Sequence, residues 1–306
     1  MKKKIITMCL VVALAATAIV GGTLAYFTDT DADQNTFTVG NVKIVQNEEQ
    51  RPVDENGKYK DGDVIGFIDE TSALVPAVVP DGSKNGSYDG TVKVADEKEY
   101  KIWDKSINNE LDKFISVTNV GTEEAYVRTI IAFEDNEAGT ITPYLHTLWG
   151  FNGDGSYVEK TANPDAFGKY TNLPNADVVW LMDNNGEYLT IGLPQVNAKN
   201  ETVYVPHSIA VITYTEKLAA KATTVPSLMQ LWLDQSATNE WSKAVGDKYT
   251  IYAASLAVQA DGFDTASKAM DTAFDLTVEN MQKWLTATAK TDNYDNTVAG
   301  AKTYTE

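Results

Sequence analysis

Residues 113–134 read KFISVTNVGTEEAYVRTIIAFE, and this stretch decides the fold class. Two runs rich in β-branched and aromatic residues, 113–120 and 125–134, flank the short segment Gly-Thr-Glu-Glu. Such runs are typical of strands, and a short glycine-containing segment between them indicates a hairpin or a corner. Alternate residues of the second run fall on opposite faces of a strand. The stretch therefore predicts two consecutive strands in a mainly β protein.

The rest of the chain adds more strands and, near its end, two helices. The run KYTIYAASLAVQA at 248–260 is apolar on both faces, as a central strand requires. Asp264 and Thr277 are of the residue types that cap helices, and they predict helices at 265–274 and 278–289. Further strands are predicted at 178–182, 188–193, 202–205 and 209–218. The predicted fold is an antiparallel β-sandwich with accessory α-helices near the C-terminus.

The N-terminus has the composition of an export signal. Lys2, Lys3 and Lys4 precede an uncharged apolar run at 5–20, and small residues follow at 21–25. This order predicts a cleaved signal peptide at 1–25, with the cut between Ala25 and Tyr26. A permanent membrane anchor is the alternative, because a spanning helix needs about 20 apolar residues.

The residues around this junction resemble a known family. GGTLAYFTD at 21–29 and NTFTVGNVKI at 35–44 are similar to the start of the TasA and camelysin family of bacterial surface and biofilm-matrix proteins. LVPAVVP at 74–80, the stretch 113–133 and the stretch 248–263 extend the resemblance to about half of the chain. The resemblance implies a jelly-roll β-sandwich with outer helices, a SipW-type signal peptidase as the export partner, and secretion to the cell surface or biofilm matrix.

For TasA-like proteins the resemblance also implies a polymer in which each copy donates a strand to the next. Cleavage after Ala25 frees residues 26–45, which are rich in aromatic and β-branched residues. An extended segment of this kind can add to an exposed sheet edge of a second copy, and a head-to-tail repeat of that contact gives a fibre. The alternative is a strand that pairs within its own sandwich. The residues expected to be buried in the acceptor are Tyr26, Phe27, Phe37, Val39, Val42 and Ile44.

Composition excludes several partners and chemistries. The formal charge is −18, and loss of the three signal lysines leaves −21. A chain this acidic repels nucleic acid and anionic lipid, so neither is expected as a partner, and no membrane span is expected after cleavage. Cys9, the single cysteine, lies inside the signal. The mature chain therefore has no disulfide, thiol nucleophile or cysteine metal site.

Camelysin relatives carry a metallopeptidase label, so zinc chemistry is the catalytic alternative to test. His146 and His207 are the two histidines, 61 positions apart, and neither belongs to an HExxH motif. Two histidines and a remote carboxylate can still meet in a fold, which leaves zinc open as a minor alternative. No cofactor is predicted, and catalytic residues are predicted to be absent.

The pattern most similar to a metal site lacks two residues that a calcium-binding loop requires. Asp29, Asp31 and Asp33 begin like a calcium loop, but Gln34 stands at the sixth position, where glycine is needed. Gly40 stands at the twelfth position, where a bidentate glutamate is needed. No metal site is therefore predicted.

Three functions remain as hypotheses. The first is an exported structural protein that assembles into fibres through its N-terminal strand; the others are a camelysin-like metallopeptidase and a monomeric surface adhesin or antigen. The expected organisation is a signal at 1–25, a donor strand at 26–45, a loop-rich connection at 46–112, a sandwich at 113–290 with an insertion at about 135–206, and a polar tail at 291–306.

Overall fold

The computed structural model describes the protein from Thr28 to residue 287, with gaps. The described residues are 28–30 (backbone only), 42–55, 58–60, 64–68, 74, 90–94, 98–102, 110–139, 141, 145–148, 173, 175–197, 199–233, 237 and 249–287. The predicted signal peptide and polar tail lie outside them. No helix in this part of the chain is long and apolar enough to cross a membrane.

The described chain forms thirteen strands and two late helices. The strands are β1 (Thr28–Thr30), β2 (Ile44–Gln50), β3 (Ile65–Gly66), β4 (Gly90–Val94), β5 (Lys98–Ile102), β6 (Leu111–Asn119), β7 (Ala125–Glu134), β8 (Leu145–Leu148), β9 (Ala176–Trp180), β10 (Thr190–Val196), β11 (Thr202–Tyr214), β12 (Leu228–Leu233) and β13 (Ile251–Gln259). The helices are α1 (Ala266–Ala273) and α2 (Val278–Thr286). This confirms the predicted mainly β fold with accessory C-terminal helices.

All pairs of described strands are antiparallel, and they form two large sheets and one two-stranded sheet of β4 and β5. The six-stranded sheet has the order β1-β13-β7-β11-β10, and β9 also pairs with β11. The five-stranded sheet has the order β3-β2-β6-β12-β8. The predicted insertion at 135–206 supplies β8, β9, β10 and the start of β11 to these two sheets.

The segment at 121–124 is a corner between the sheets. β6 and β7 on either side of it belong to different sheets, so the chain crosses the sandwich here. Asn119 holds the turn: its Nδ2 donates to the carbonyls of Glu123 at 2.7 Å and Leu218 at 3.1 Å, and its Oδ1 accepts from the Gly121 amide at 2.9 Å. Of the two alternatives, hairpin or corner, the structure has the corner.

The main core lies between the two sheets, and β7 shows why the central strands are apolar on both faces. Val127, Ile131 and Phe133 point to the five-stranded sheet, where they meet residues such as Ile115 and Val117. The alternate residues of β7 point to the helices on the outer face. Because both faces are covered, the strand has no polar face.

The helices cover the outer face of the six-stranded sheet. Met281, Trp284 and Leu285 of α2 are buried against it. Thr277 caps α2 as predicted and accepts from the Asn280 amide at 3.2 Å. The predicted cap of α1 at Asp264 is wrong by one residue, since the side chain that accepts from the first turn is that of Thr265.

A hairpin covers the outer face of the five-stranded sheet. β4 and β5 pair with each other, and Val92, Val94, Tyr100 and Ile102 are buried in one cluster with Phe114 and Met229. This hairpin and β3 lie within 46–112, which was expected to be mainly loops. The molecule therefore has four layers: helices, six-stranded sheet, five-stranded sheet and hairpin.

A buried ion pair fixes the end of β2 to β6. The Arg51 guanidinium donates to both carboxylate oxygens of Asp112, with Nε–Oδ2 at 2.6 Å and Nη2–Oδ1 at 3.0 Å. Gln230 of β12 donates to Asp112 Oδ1 at 2.9 Å, and the Tyr59 ring lies 4.5 Å from the guanidinium carbon. Arg51 is 1 % exposed, so the pair belongs to the interior.

Candidate functional site

The candidate site is the edge of the six-stranded sheet at which β1 lies. On the side that faces the middle of the sheet, all nine residues of β13 pair with β7. On its outer side, the described residues of β1 pair with it from Thr28 opposite Val258 to Thr30 opposite Leu256. Within the described residues, the outer side of 251–255 has no strand partner. This part of the strand is called the β13 edge below.

One side chain from the other sheet reaches the β13 edge. Gln46 of β2 accepts from the Ser255 hydroxyl at 2.6 Å and donates through Nε2 to the Ala253 carbonyl at 3.3 Å. Its Nε2 also lies 2.9 Å from Glu48 Oε1. These contacts of Gln46 with Ser255 and Ala253 are called the Gln46 link.

The Gln46 link continues into the sheet through Thr129. The Thr129 and Ser255 hydroxyl oxygens are 3.1 Å apart, and both residues are fully buried. Since a serine hydroxyl has one proton and Ser255 gives it to Gln46, Thr129 is the donor of this second bond. The polar chain therefore runs from β2 through β13 to β7, and it joins the two sheets at their common side.

The predicted assembly residues divide into two groups. Ile44 is 3 % exposed in β2, opposite Asn119 of β6, and packs in the core between the sheets. Val42 is half-buried against the same core. Thr28–Thr30 also pairs within the chain. For Ile44, Val42 and Thr28–Thr30, the structure therefore has the alternative, in which the strand pairs within its own sandwich. The remaining predicted residues, Tyr26, Phe27, Phe37 and Val39, and the cleavage site between Ala25 and Tyr26, lie outside the described residues.

The opposite side of the same sheet has a closed edge at β10. The Asp135 amide donates to the Pro206 carbonyl at 2.8 Å, so the backbone groups of Pro206 face β7. Gly192 is the cross-strand partner of Pro206, so the N–H and C=O groups of Gly192 point away from β11. Pro194, two residues later in β10, points its carbonyl in the same direction.

Three of the four backbone positions that Gly192 and Pro194 turn outward are occupied or lack a donor. Gln282 Nε2 of α2 donates to the Gly192 carbonyl at 2.8 Å. The Tyr252 hydroxyl donates to the Pro194 carbonyl at 2.6 Å, and proline has no N–H to offer. An added strand would find no donor at Pro194, which is how natural sheets protect an edge.

His207 is the histidine whose surroundings the structure describes. It is fully buried in β11, and its Nδ1 lies 2.8 Å from the Val205 carbonyl. Nδ1 therefore carries the proton of the neutral ring, and Nε2 is a buried acceptor without a hydrogen-bond partner. Burial lowers the pKa of His207 to about 4, although the Val205 carbonyl and Asp135 act in the opposite direction.

The carboxylates next to His207 are held by protein donors. Glu134, directly opposite on β7, accepts from Gln195 Nε2 at 3.0 Å and the Thr250 amide at 2.8 Å. Burial raises the pKa of Glu134 despite these hydrogen bonds. Asp135 accepts from the Ser208 hydroxyl at 2.7 Å and the Ile141 amide at 2.8 Å. Both carboxylates next to His207 are therefore satisfied by donors of the protein itself.

This cluster does not fit a zinc site. Across the described residues, no three His, Cys, Asp or Glu side chains come together in a way that holds a metal ion. The backbone of His146 lies in β8 opposite Trp232, in the other sheet from His207. No catalytic step is derived from these residues.

Sequence reasoning did not identify Gln46 or Ser255. Neither residue belongs to a motif, and 209 positions separate them. Ser255 is a polar residue in the otherwise apolar run of β13, whereas Gln46 lies in β2 (IVQNEEQ), which is polar from position 46 onwards, so no local pattern distinguishes it.

Comparison with known proteins gives one match. Residues 1–66 match the model of a family described as camelysin metallo-endopeptidase. This confirms, over those 66 of 306 residues, the resemblance inferred from the Tyr26 junction, and it supports an exported protein of this kind. The matched residues contain no histidine. Neither the curated proteins nor the solved structures include a match.

Proposed function

We propose that this protein is an exported structural protein of the cell surface or biofilm matrix, which assembles into fibres by donating its N-terminal strand to a second copy. The observation that carries the proposal is the pairing of β1 with the outer side of β13. β1 is the most N-terminal described strand, so a segment near the predicted cleavage site lies at an edge of the sheet.

An edge strand close to a chain terminus can be exchanged, because its backbone hydrogen bonds to the sheet run along one side only. When β1 leaves β13, the same edge accepts the equivalent segment of a second copy with the same backbone bonding. A contact of this type joins different surfaces of the two copies, so it continues into a fibre unless it closes into a ring.

In this proposal, removal of the signal peptide during export creates the N-terminus of the donated segment. Cleavage by a SipW-type signal peptidase after Ala25 leaves Tyr26 and Phe27 at the free N-terminus. These aromatic residues, with Phe37 and Val39, supply apolar area for burial in the acceptor. The family match over 1–66 supports this account of export.

The test compares two purified proteins, one starting at Tyr26 and one starting at Val42. The shorter protein keeps Val42 and Ile44, because both pack in the core of the sandwich. We expect the longer protein to sediment as fibres or large oligomers and the shorter one as a monomer.

A full-length variant with Phe37→Ser and Val39→Ser is the matched control for chain length. It keeps every residue of the donated segment but loses its apolar side chains, so we expect slow or absent assembly. Equal sedimentation of the Tyr26 and Val42 proteins would overturn the proposal.

The metallopeptidase is the second candidate, because the matched family carries that description. Degradation of casein that stops with a chelator, with His146→Ala and with His207→Ala would replace the structural proposal. A surface adhesin is the third candidate. Binding of the monomer to a host protein or polysaccharide, without any polymer, would favour it.

A further inference from the structure

At one end of the six-stranded sheet, side chains join strands that are not neighbours. In the sheet order, β7 and β11 lie between β13 and β10. The Tyr252 hydroxyl of β13 nevertheless donates to the Pro194 carbonyl of β10 at 2.6 Å. Gln195 of β10 donates across β11 to the Glu134 carboxylate of β7 at 3.0 Å. The sheet is therefore strongly coiled at this end, and these two hydrogen bonds are called the sheet-end clasp.

His207 lies next to both bonds of the sheet-end clasp. Its ring meets the Tyr252 ring edge-on, with centroids 5.2 Å apart, and Glu134 is its cross-strand partner. The ring is fully buried, its Nδ1 is committed to the Val205 carbonyl, and its Nε2 has no hydrogen-bond partner. A proton added at Nε2 therefore creates a buried cation whose new N–H has no acceptor in the closed sheet.

We propose that His207 is an acid-sensitive switch for the sheet-end clasp. When the ring takes up a proton, the clasp opens, and the hairpin at 190–206 separates from β7 and β13 while the rest of the sandwich stays folded. The proposal concerns the monomer and does not depend on fibre assembly.

The hairpin at 190–206 is suited to local opening. The pairing of β11 with β7 begins at His207, so 202–206 pair with β10 and extend past the end of β7. Val196 and Tyr204 in this hairpin are exposed. Because a two-stranded hairpin is marginally stable on its own, it should lose its internal protection once it leaves the sheet. Opening this end breaks far fewer contacts than unfolding the central strands does.

The other titratable groups around the ring do not produce this response to acid. Glu134 and Asp135 at the end of β7 are carboxylates and favour the imidazolium, but burial outweighs them and lowers the pKa of His207. Burial raises the pKa values of the tyrosines near these carboxylates, which therefore stay neutral in acid: Tyr188, Tyr249 and Tyr252. The side chains that β10 and α2 contribute here do not titrate, namely Gln195 and Gln282.

The size of the effect follows from the two states of the ring. The pKa of His207 is about 4 in the closed sheet and returns towards 6.5 when the ring is hydrated. Between about pH 7 and about pH 4.5, this difference increases the opening equilibrium by up to about fiftyfold. Glu134 offsets part of the increase, because burial raises its pKa and so favours its protonated form in the closed sheet. We therefore expect an increase of about tenfold or more.

The experiment measures backbone hydrogen exchange in the dilute full chain without its predicted signal peptide. Protection is calculated against the unfolded chain at the same pH, at about pH 7 and about pH 4.5. In the wild type we expect acid to lower the protection of 190–196 and 202–206 about tenfold and to leave that of 126–131 in β7 nearly unchanged. His207→Gln keeps a polar side chain but has no basic nitrogen, so acid should not lower the protection of 190–196 in this variant.

Tyr252→Phe tests the clasp itself. It removes the hydroxyl that donates to Pro194 but keeps the aromatic ring and His207. We expect 190–196 to be less protected than in the wild type at both pH values, with a further loss in acid.

An NMR titration of the imidazole rings gives a readout that needs no substitution at position 207. His146→Gln assigns the signals, because the chain has two histidines. We expect His207 to take up its proton over the pH range in which 190–196 loses protection.

Three results would overturn the proposal. One is an equal acid loss of protection in 190–196 and 126–131, which would mean that the whole sandwich unfolds together. Another is the same acid loss in the wild type and in His207→Gln. The third is protection of 190–196 in Tyr252→Phe that equals the wild-type value at both pH values.

Discussion

Single polar side chains hold the sheets of this protein in register. Asp112 accepts from Arg51 and Gln230, and so ties the end of β2 and the strand β12 to β6. Gln46 and Ser255 tie the two sheets together at the β13 edge. In each case the partners are far apart in the sequence, so the contact exists only after the strands have paired.

His207 should make the stability of the protein depend on pH. Its pKa in the fold is about 4, below the ordinary value of 6.5, so the fold favours the neutral ring. This contribution is complete above pH 6.5 and is lost as the pH falls towards 4. We expect the free energy of unfolding to fall by about 2 kcal/mol or more between about pH 7 and about pH 4.5. Urea denaturation at both pH values measures it.

The His207→Gln variant should lack this part of the pH dependence of the free energy of unfolding. Glu134 acts in the opposite direction, because its raised pKa favours the protonated carboxyl and adds stability as the pH falls. In the Glu134→Gln variant, the free energy of unfolding should therefore fall more steeply as the pH is lowered. Parallel pH profiles for the wild type and His207→Gln would contradict the assignment.

At the scale of elements, the strands and helices with strong local patterns could be predicted from the sequence. β6, β7 and β13 have long runs of β-branched and aromatic residues, and the Thr277 cap marks the start of α2. The cap of α1 could not be predicted to the residue, because Asp264 and Thr265 are both of capping types and the direction of the side chain decides between them.

The hairpin of β4 and β5 and the Gln46 link could not be predicted in this way. Each of these two strands is five residues long and carries lysine, which is uncommon in strands. They are stable here because their apolar side chains cover Phe114 and Met229 of the five-stranded sheet. The Gln46 link depends on the packing of two sheets, which no local pattern encodes.

The attachment of α2 can be tested with Trp284→Ala. The Trp284 ring meets Phe274 edge-on, with centroids 5.8 Å apart, and is buried against the six-stranded sheet. We expect a loss of about 3–5 kcal/mol in the free energy of unfolding, because a large aromatic side chain leaves a cavity. Lys283→Ala, on the exposed side of the same helix, should cost about 0.5 kcal/mol or less. Similar losses from both variants in urea denaturation would show that the helix does not pack as described.

At the scale of the whole molecule, charge should control how fast copies meet. The proposed cleavage removes Lys2, Lys3 and Lys4 and takes the formal charge from −18 to −21, so two processed copies would repel each other. Raising the ionic strength from about 10 mM to about 150 mM shortens the Debye length from about 30 Å to about 8 Å. We expect the lag before fibre growth to shorten over this range, measured by light scattering.

The control for this prediction uses sodium, potassium and magnesium chloride at equal ionic strength. Screening predicts the same lag in all three salts. A lag that responds to magnesium alone would indicate specific cation binding and not screening.

The four-layer arrangement has a consequence for the type of fibre. In the part of the chain that the structure describes, the helices cover one outer face of the sandwich and the β4–β5 hairpin covers the other, so neither large sheet offers a bare outer face for stacking. Amyloid requires such stacking, with identical segments layered into dry interfaces between sheets. A fibre of this protein would therefore consist of folded globules linked by exchanged strands, and we expect it to dissolve back into native monomers under mild conditions that leave amyloid intact.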